Sequence, residues 1–234
     1  LTENTQPAIM AVGVSIYKVL NENLNLNLNN SKFFAGHSLG EYTALVCSGS
    51  LTLEKATYLL NERGKAMQNS VPKNAGSMIA VLGMTIEEVN AEINLLKKNG
   101  VCEIANDNTN GQVVVSGNSE AIKTFHENLK IKKKKGIILP VSAAFHCSLM
   151  KQAAIDMNKK ILDTEFLEPK PEIISNVTAK KENNTTTIKN LLIEQITSRV
   201  RWRESVNYMI SKGILDFIEI GPGKVLSGLV KKNR

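Results

Sequence analysis

Cysteine, histidine, proline and aromatic residues are all scarce in this 234-residue chain, and each scarcity removes a class of function. Cys47, Cys102 and Cys147 are odd in number and lack the spacing of metal ligands. That excludes a disulfide framework and suits free thiols in a reducing compartment. Cys147 follows His146, but chain neighbours point apart, so a buried inert thiol is expected there rather than a nucleophile. Aromatics are too sparse for a base-stacking platform, and no nucleic-acid-binding motif is present. No apolar run approaches the roughly 20 residues that a membrane helix needs, so a soluble chain is expected, and the free thiols make the expected compartment the cytoplasm. An initial Met is also missing; the chain opens on Leu1, which leaves a targeting segment open. Acidic residues are outnumbered, 22 against 29 Lys and Arg, for a net charge of +7. The excess either attracts acidic partners or reflects a lysine- and asparagine-rich composition.

What is present is an ordinary globular composition, 42% apolar, long enough for one domain with an inserted subdomain. Thr5-Gln6-Pro7, followed by apolar residues at 9, 10, 14, 16, 17 and 20, predicts a helix with proline in its first turn. It gives way to Asn21 to Asn30, where leucine alternates with asparagine, read as a loop. Thr52 caps a helix over 53–68 whose apolar stripe, Ala56, Leu60, Met67, has Arg63 in its middle. Arginine cannot shed its charge, so a buried one needs a carboxylate. Either an Asp or Glu of this chain supplies it, or the side chain snorkels to solvent, or a ligand brings it.

Residues 75–142 read as a unit: a strand at 77–82, a capping box from Thr85 to Glu88 opening a helix to Gly100, and strands at 101–105 and 112–116 joined by a turn at 106–111. A helix over 119–131 and a strand over 136–141 follow. The order βαββαβ is the ferredoxin-like pattern. The division is therefore a large α/β subdomain from 1–74 and 143–234, and a small one from 75–142. Lys130 to Lys135 ends the second helix of this unit, either as a solvated helix end or as a docking patch for an acidic protein; His126 on that helix is read as exposed. Beyond it the pattern predicts helices over 148–162, 188–198 and 204–212, strands at 172–177 and 214–220, a polar turn at 179–187, and a last helix after Gly221-Pro222-Gly223.

The chemistry concentrates in Phe33-Phe34-Ala35-Gly36-His37-Ser38-Leu39-Gly40-Glu41-Tyr42. A short apolar run enters a glycine-flanked serine and leaves at helical spacing, as in a nucleophile elbow, where glycines relieve the bend and the hydroxyl stands exposed. The Leu39 N–H, at the helix start, points where an oxyanion would form. The bare Gly-x-Ser-x-Gly pattern fits an ordinary turn equally well. Downstream, Pro140 to Phe145 leads to His146.

The longer string, from Gly36 to Tyr42, resembles the signature of malonyl-CoA:acyl-carrier-protein transacylases and the related acyltransferase domains of polyketide and fatty-acid synthases. The resemblance continues through Glu62 to Gln68, Asn108 to Val114, Pro140 to Cys147 with Met150, Trp202, and Glu219 to Leu226. It implies a hydrolase-like parallel-sheet core around the small subdomain, with Ser38 as nucleophile, His146 as its general base, and the main-chain carbonyl of Gln195, seven residues before Trp202, orienting that base. It implies that Arg63 receives the free carboxylate of a malonyl group and that Phe145 narrows the space for an α-methyl branch; Met67, one turn from Arg63, is expected to line the same pocket. The substrates implied are malonyl-CoA and the phosphopantetheine thiol of acyl carrier protein, exchanged by a ping-pong cycle in fatty-acid synthesis, with no cofactor or metal, by a monomer.

The α/β-hydrolase order Ser, Asp or Glu, His does not fit, because no histidine follows the last predicted strand. The family resembled begins with a strand and a Gly-Gln-Gly-Ser-Gln segment that supplies a second oxyanion N–H, and that segment is absent here. Loss of one such donor costs about 100- to 1000-fold in rate; the expectation is a truncated record of an active enzyme rather than an inactive relative. Competing readings are a synthase acyltransferase domain, a hydrolase releasing free malonate, and an inactive carrier-docking module.

Overall fold

The computed structural model describes residues 2–24, 26–72, 74–96, 100–141 and 143–233. Its large body is built on three helices around the elbow: α1 (Thr2–Lys18), α2 (Leu39–Cys47) and α3 (Leu53–Asn69). Helix α1 starts five residues before Pro7, so the proline is interior rather than in the first turn. Tertiary packing explains this: a Cβ at Gly64 would lie 2.5 Å from the Glu3 Cα, so the first turn of α1 rests directly on α3. A π-helical turn extends it to Asn23, and a 3-10 turn over Leu28–Asn30 buries Leu28, giving the asparagine-rich stretch more structure than a loop. Thr52 caps α3 by accepting the Lys55 N–H.

Strand β1 (Phe33–Ala35) pairs in parallel with β6 (Glu172–Ile174), which pairs in antiparallel with β7 (Lys181–Glu182). Among the described residues the core sheet therefore has one parallel pair. Helices α6 (Lys151–Asp163), α7 (Thr185–Gln195), α8 (Trp202–Ser211) and α9 (Val225–Asn233) complete this body. Residues 214–220 do not form the predicted strand: Leu215 is 73% and Ile218 64% exposed. They run beside the open edge of β1 across a cavity of about 820 Å³ that both line. No strand among the described residues pairs with 214–220, and apolar composition alone does not make a strand.

Residues 76–138 fold into β2 (Gly76–Leu82), α4 (Ile86–Asn94), β3 (Cys102–Thr109), β4 (Gln112–Asn118), α5 (Ser119–Ile131) and β5 (Lys135–Ile138). The sheet order is β3-β4-β2-β5, antiparallel throughout. Alternation along the strands divides the side chains. Ile79, Val81, Val113 and Val115 meet Val89, Ile122, Phe125 and Leu129 of the helices, while Met78, Ala105 and Val114 face the other way, towards Phe145. The capping box at Thr85 and Glu88 is formed; the stretch before Gly100, where its helix was predicted to end, lies partly outside the described residues. His126 is half-buried, its ring over Gly136.

The predicted turn at 106–111 is mostly strand. Asn106 to Thr109 are buried polar residues and the first three are poor strand formers, yet each of those three finds a partner on the large body. Asn106 bridges to Val200, the Asp107 carboxylate takes the Arg203 guanidinium at 2.8 Å, and Asn108 meets His37. Glu103 adds a clamp by accepting the Ser148 N–H at 2.8 Å and its hydroxyl at 2.6 Å.

Candidate active site

The elbow is held by close approach and by one amide. A Cβ on Gly36 would stand 1.9 Å from the Gly40 carbonyl oxygen, so glycine is required there, whereas Gly40 has open space. Ser38 sits at φ 54°, ψ −110°, a strained conformation for a residue with a side chain. Asn176, just past β6, bridges the bend: its Oδ1 accepts the Ser38 N–H at 2.7 Å and its Nδ2 donates to the Gly36 carbonyl at 2.7 Å. The Gly40 and Glu41 N–H groups bond back to His37 and Ser38, and the Leu39 N–H has no acceptor among the described residues. It is free to meet an oxyanion.

Ser38 Oγ lies 2.7 Å from His146 Nε2, and His146 Nδ1 lies 2.9 Å from the Gln195 main-chain oxygen. A carbonyl only accepts, so Nδ1 carries the proton and Nε2 is free to take the serine's. His146 is buried at a loop residue with φ 56°, not at a strand end. Burial first, and then the Arg63 charge, lowers its pKa to about 3, so the ring is neutral at physiological pH.

Arg63 is 1% exposed and turns its guanidinium onto the same serine. Nη1 donates to Gln6 Oε1 at 2.6 Å; Nη2 donates to Gln195 Oε1 at 2.9 Å and to Ser38 Oγ at 3.1 Å. These partners are neutral, Nε has none among the described residues, and the guanidinium carbon sits 5.9 Å from the Tyr42 ring centroid. Among the described residues no carboxylate of the kind a buried arginine calls for is paired with it. Met67 is buried behind this group, its Sδ 4.0 Å from Gln6 Nε2, so it backs Arg63's partner. Phe145 is half-buried between the main core and the lower face of the small sheet, and no contact between it and Ser38 is among the bonds that define the site.

Cys147 is buried, donates to the Ala144 carbonyl at 3.3 Å, and burial raises its pKa; burial pushes Cys47 and Cys102 up to about 12. No cluster of metal-ligating side chains occurs among the described residues, and none of their helices is long and apolar enough to cross a membrane. The 820 Å³ cavity lies behind the elbow, lined by Gly36, His37 and Leu39 but not by Ser38, Arg63 or His146, so it is not where the acyl chemistry converges.

Three polar residues of the site went unread in the sequence: Gln6, Glu41 and Asn176. For two of them a signal existed. Gln6 shares a stripe with Met10, Val14 and Tyr17, and Glu41 sits among Tyr42, Ala44 and Leu45, each a polar residue on a buried helix face. Asn176 carried none.

A serine held in a strained strand-to-helix bend, bonded to a histidine that a carbonyl orients, can pass an acyl group through an ester, and the buried Arg63 guanidinium beside it is a cation available to an acid-bearing acyl chain. The chain belongs to the family of the acyl transferase domain, whose model matches residues 1–233. It is 41% identical over 235 residues to the malonyl CoA-acyl carrier protein transacylase of Bacillus subtilis, covering 99% of this chain and 73% of that protein. With the Escherichia coli K12 protein of the same name the identity is 36% over 232 residues, covering 99% and 74%. Among solved structures, the acyl-carrier-protein S-malonyltransferase of Bartonella henselae superposes with a TM-score of 0.96 at 41% identity, over 100% of this chain and 75% of that one. A malonyl-transacylase solved in complex with its type II PKS acyl-carrier protein superposes at 0.94 with 36% identity, over 99% and 74%.

Proposed function

We propose that this chain transfers the malonyl group of malonyl-CoA to the phosphopantetheine thiol of acyl carrier protein, in fatty-acid biosynthesis, by a ping-pong cycle through a malonyl ester on Ser38. In the first half, Ser38 Oγ attacks the thioester carbonyl while His146 Nε2 takes its proton. The Leu39 N–H stabilises the oxyanion, and the Gln195 carbonyl holds the imidazolium by its Nδ1–H. Collapse of the tetrahedral adduct breaks the C–S bond, and His146 returns the proton to the coenzyme A thiolate. The carrier's thiol then attacks the ester in reverse, with His146 again moving the proton, and Ser38 leaves as the hydroxyl. The cycle needs no cofactor beyond the thioester.

The observation that carries the reading is the state of Arg63: a buried cation beside the nucleophile with neutral hydrogen-bond partners only. A malonyl carboxylate supplies the anion it lacks, each charge-assisted bond being worth roughly 1.5–3 kcal/mol. Met67 backs the group that holds Arg63, and Phe145, next to the base, is assigned the limit on branched acyl chains.

In architecture, we assign 75–142 as a ferredoxin-like insertion and 1–74 with 143–234 as a hydrolase-like body, working as a cytoplasmic monomer. The order β3-β4-β2-β5 with two helices on one face supports the first part.

The test is intact mass after mixing with malonyl-CoA or acetyl-CoA. One malonyl adduct that disappears in Ser38→Ala, and a far weaker acetyl adduct, is expected; no adduct, or free malonate released without a carrier, overturns the reading.

A further inference from the structure

Glu41 is the third residue of α2 and is 1% exposed, with its carboxyl group turned inwards. No cation pairs with it among the described residues. Its Oε2 instead accepts from two neutral donors, the Gln195 carboxamide Nε2 at 2.7 Å and the Asn176 main-chain N–H at 3.1 Å. The other end of the same carboxamide, Oε1, takes Arg63 Nη2 at 2.9 Å. Carboxyl group and guanidinium are thus joined through one amide, in the order Glu41, Gln195, Arg63.

That order removes an ambiguity. A carboxamide presents oxygen and nitrogen from nearly the same shape and can turn over. Glu41 Oε2 accepts from the Asn176 N–H and faces the carboxamide as an acceptor, and a guanidinium only donates. With Glu41 Oε2 on one side and Arg63 on the other, only one orientation makes two bonds; the flipped one sets NH2 against the guanidinium and oxygen against oxygen. Gln195 also carries the carbonyl that receives His146 Nδ1, and its Nε2 reaches the Ser38 carbonyl at 3.2 Å. Whatever fixes this side chain therefore fixes the residue that the base leans on.

We propose that Glu41 is a positioning residue: by fixing the Gln195 carboxamide it holds the Arg63 guanidinium towards Ser38 for an acyl carboxylate and steadies the carbonyl that orients His146. This rests on the malonyl reading for its substrate, but not for its geometry. A bare burial role for Glu41 would set stability and nothing else. The positioning role makes Glu41 act on the discrimination between acyl groups with and without a carboxylate.

The experiment compares Glu41→Leu, Glu41→Gln and the unaltered protein by acylation rate with malonyl-CoA and with acetyl-CoA, by thermal unfolding, and by ¹⁵N NMR of the His146 ring and Arg63 guanidinium without substrate. Glu41→Leu is expected to lower malonyl acylation about 10- to 100-fold and acetyl acylation less than about 3-fold, with both sets of ¹⁵N signals displaced, since a charge-assisted network loses one bond. Glu41→Gln keeps an acceptor oxygen, so it is expected to recover most of the selectivity. Equal losses on both substrates, or unmoved ¹⁵N signals in a folded variant, overturn the proposal. If Glu41→Leu does not fold, Glu41→Gln decides alone: its amide offers a donor as well as an acceptor, so broadened or doubled Arg63 signals and a measurably lower malonyl-to-acetyl ratio are expected, and unchanged values on both overturn it. If the unaltered protein takes no malonyl group, the functional reading falls, while the ¹⁵N comparison still decides the positioning role.

Discussion

Arg63 and Gln195 are 132 residues apart in the chain and joined by a 2.9 Å hydrogen bond from Nη2 to Oε1. Gln195 also offers its main-chain carbonyl to His146, so one residue touches both the group that would bind the acyl carboxylate and the group that moves the proton. Truncating the side chain separates these roles. Gln195→Ala keeps the carbonyl and removes the amide, and malonyl acylation is expected to fall about 10-fold or more, for the loss of a hydrogen bond to a charged group. Acetyl acylation should change much less. Single-turnover rates with the two thioesters measure the split.

Removing the base tests the other role. His146→Ala leaves Ser38 with Arg63 but without a proton acceptor, and acylation is expected to slow by about 100- to 10,000-fold. Ser38→Ala should give no adduct at any time, read by intact mass.

Replacing Arg63 alters both selectivity and pH dependence. Arg63→Met should cost malonyl acylation roughly 100-fold or more, from the loss of charge-assisted bonds worth roughly 1.5–3 kcal/mol each. Burial is the main cause of the low pKa of His146 and the Arg63 charge the second, so removing the charge raises that pKa. The reaction needs neutral His146, so the acid limb of the acetyl acylation profile should move to higher pH in Arg63→Met. A profile that stays put would disconnect the two residues.

Asn176 tests the elbow itself. Asn176→Ala unpairs the Ser38 N–H and the Gly36 carbonyl in a buried, strained bend. An unsatisfied buried group costs about 1–3 kcal/mol, and two are left. The midpoint of urea unfolding should fall with an unchanged slope, and the surviving folded protein should acylate more slowly with both thioesters.

Two buried groups push stability in opposite directions with pH. Burial holds His146 at about 3 against an unfolded value near 6.5, so its contribution is complete above about 6.5 and is lost as pH falls towards 3. His37, also lowered by burial, acts in the same sense. Burial raises Glu41 to about 7 against 4.5, so its contribution is complete below 4.5 and is lost as pH rises towards 7. Between about 4.5 and 6.5 the two oppose. Relative to the unaltered protein, Glu41→Gln should tilt the stability profile in this window upwards with pH and His146→Gln should tilt it downwards, as measured by urea unfolding at both limits.

Much of the site was legible because its signals are local. Gly36 and Ser38 mark a bend whose need for glycine lies within five residues, and the strands and helices of 76–138 follow periods that a short window displays. Arg63 stood out by interrupting an apolar stripe. The errors fell where distant partners overrule local preference. Asn106, Asp107 and Asn108 became strand because Val200, Arg203 and His37 satisfy them, and 214–220 failed to become one because no strand among the described residues pairs with it.

By itself, then, the sequence determined the elbow with its serine, the α/β order of elements and a buried arginine wanting an anion, since each depends on residues within a few turns of one another. Only the tertiary structure decided that no carboxylate of the described chain pairs with that arginine, that Asn176 braces the bend, and that Glu41 reaches Arg63 through Gln195. The last two relationships join residues 130 or more positions apart through hydrogen bonds under 3.2 Å, and spacing along a chain does not encode such distances.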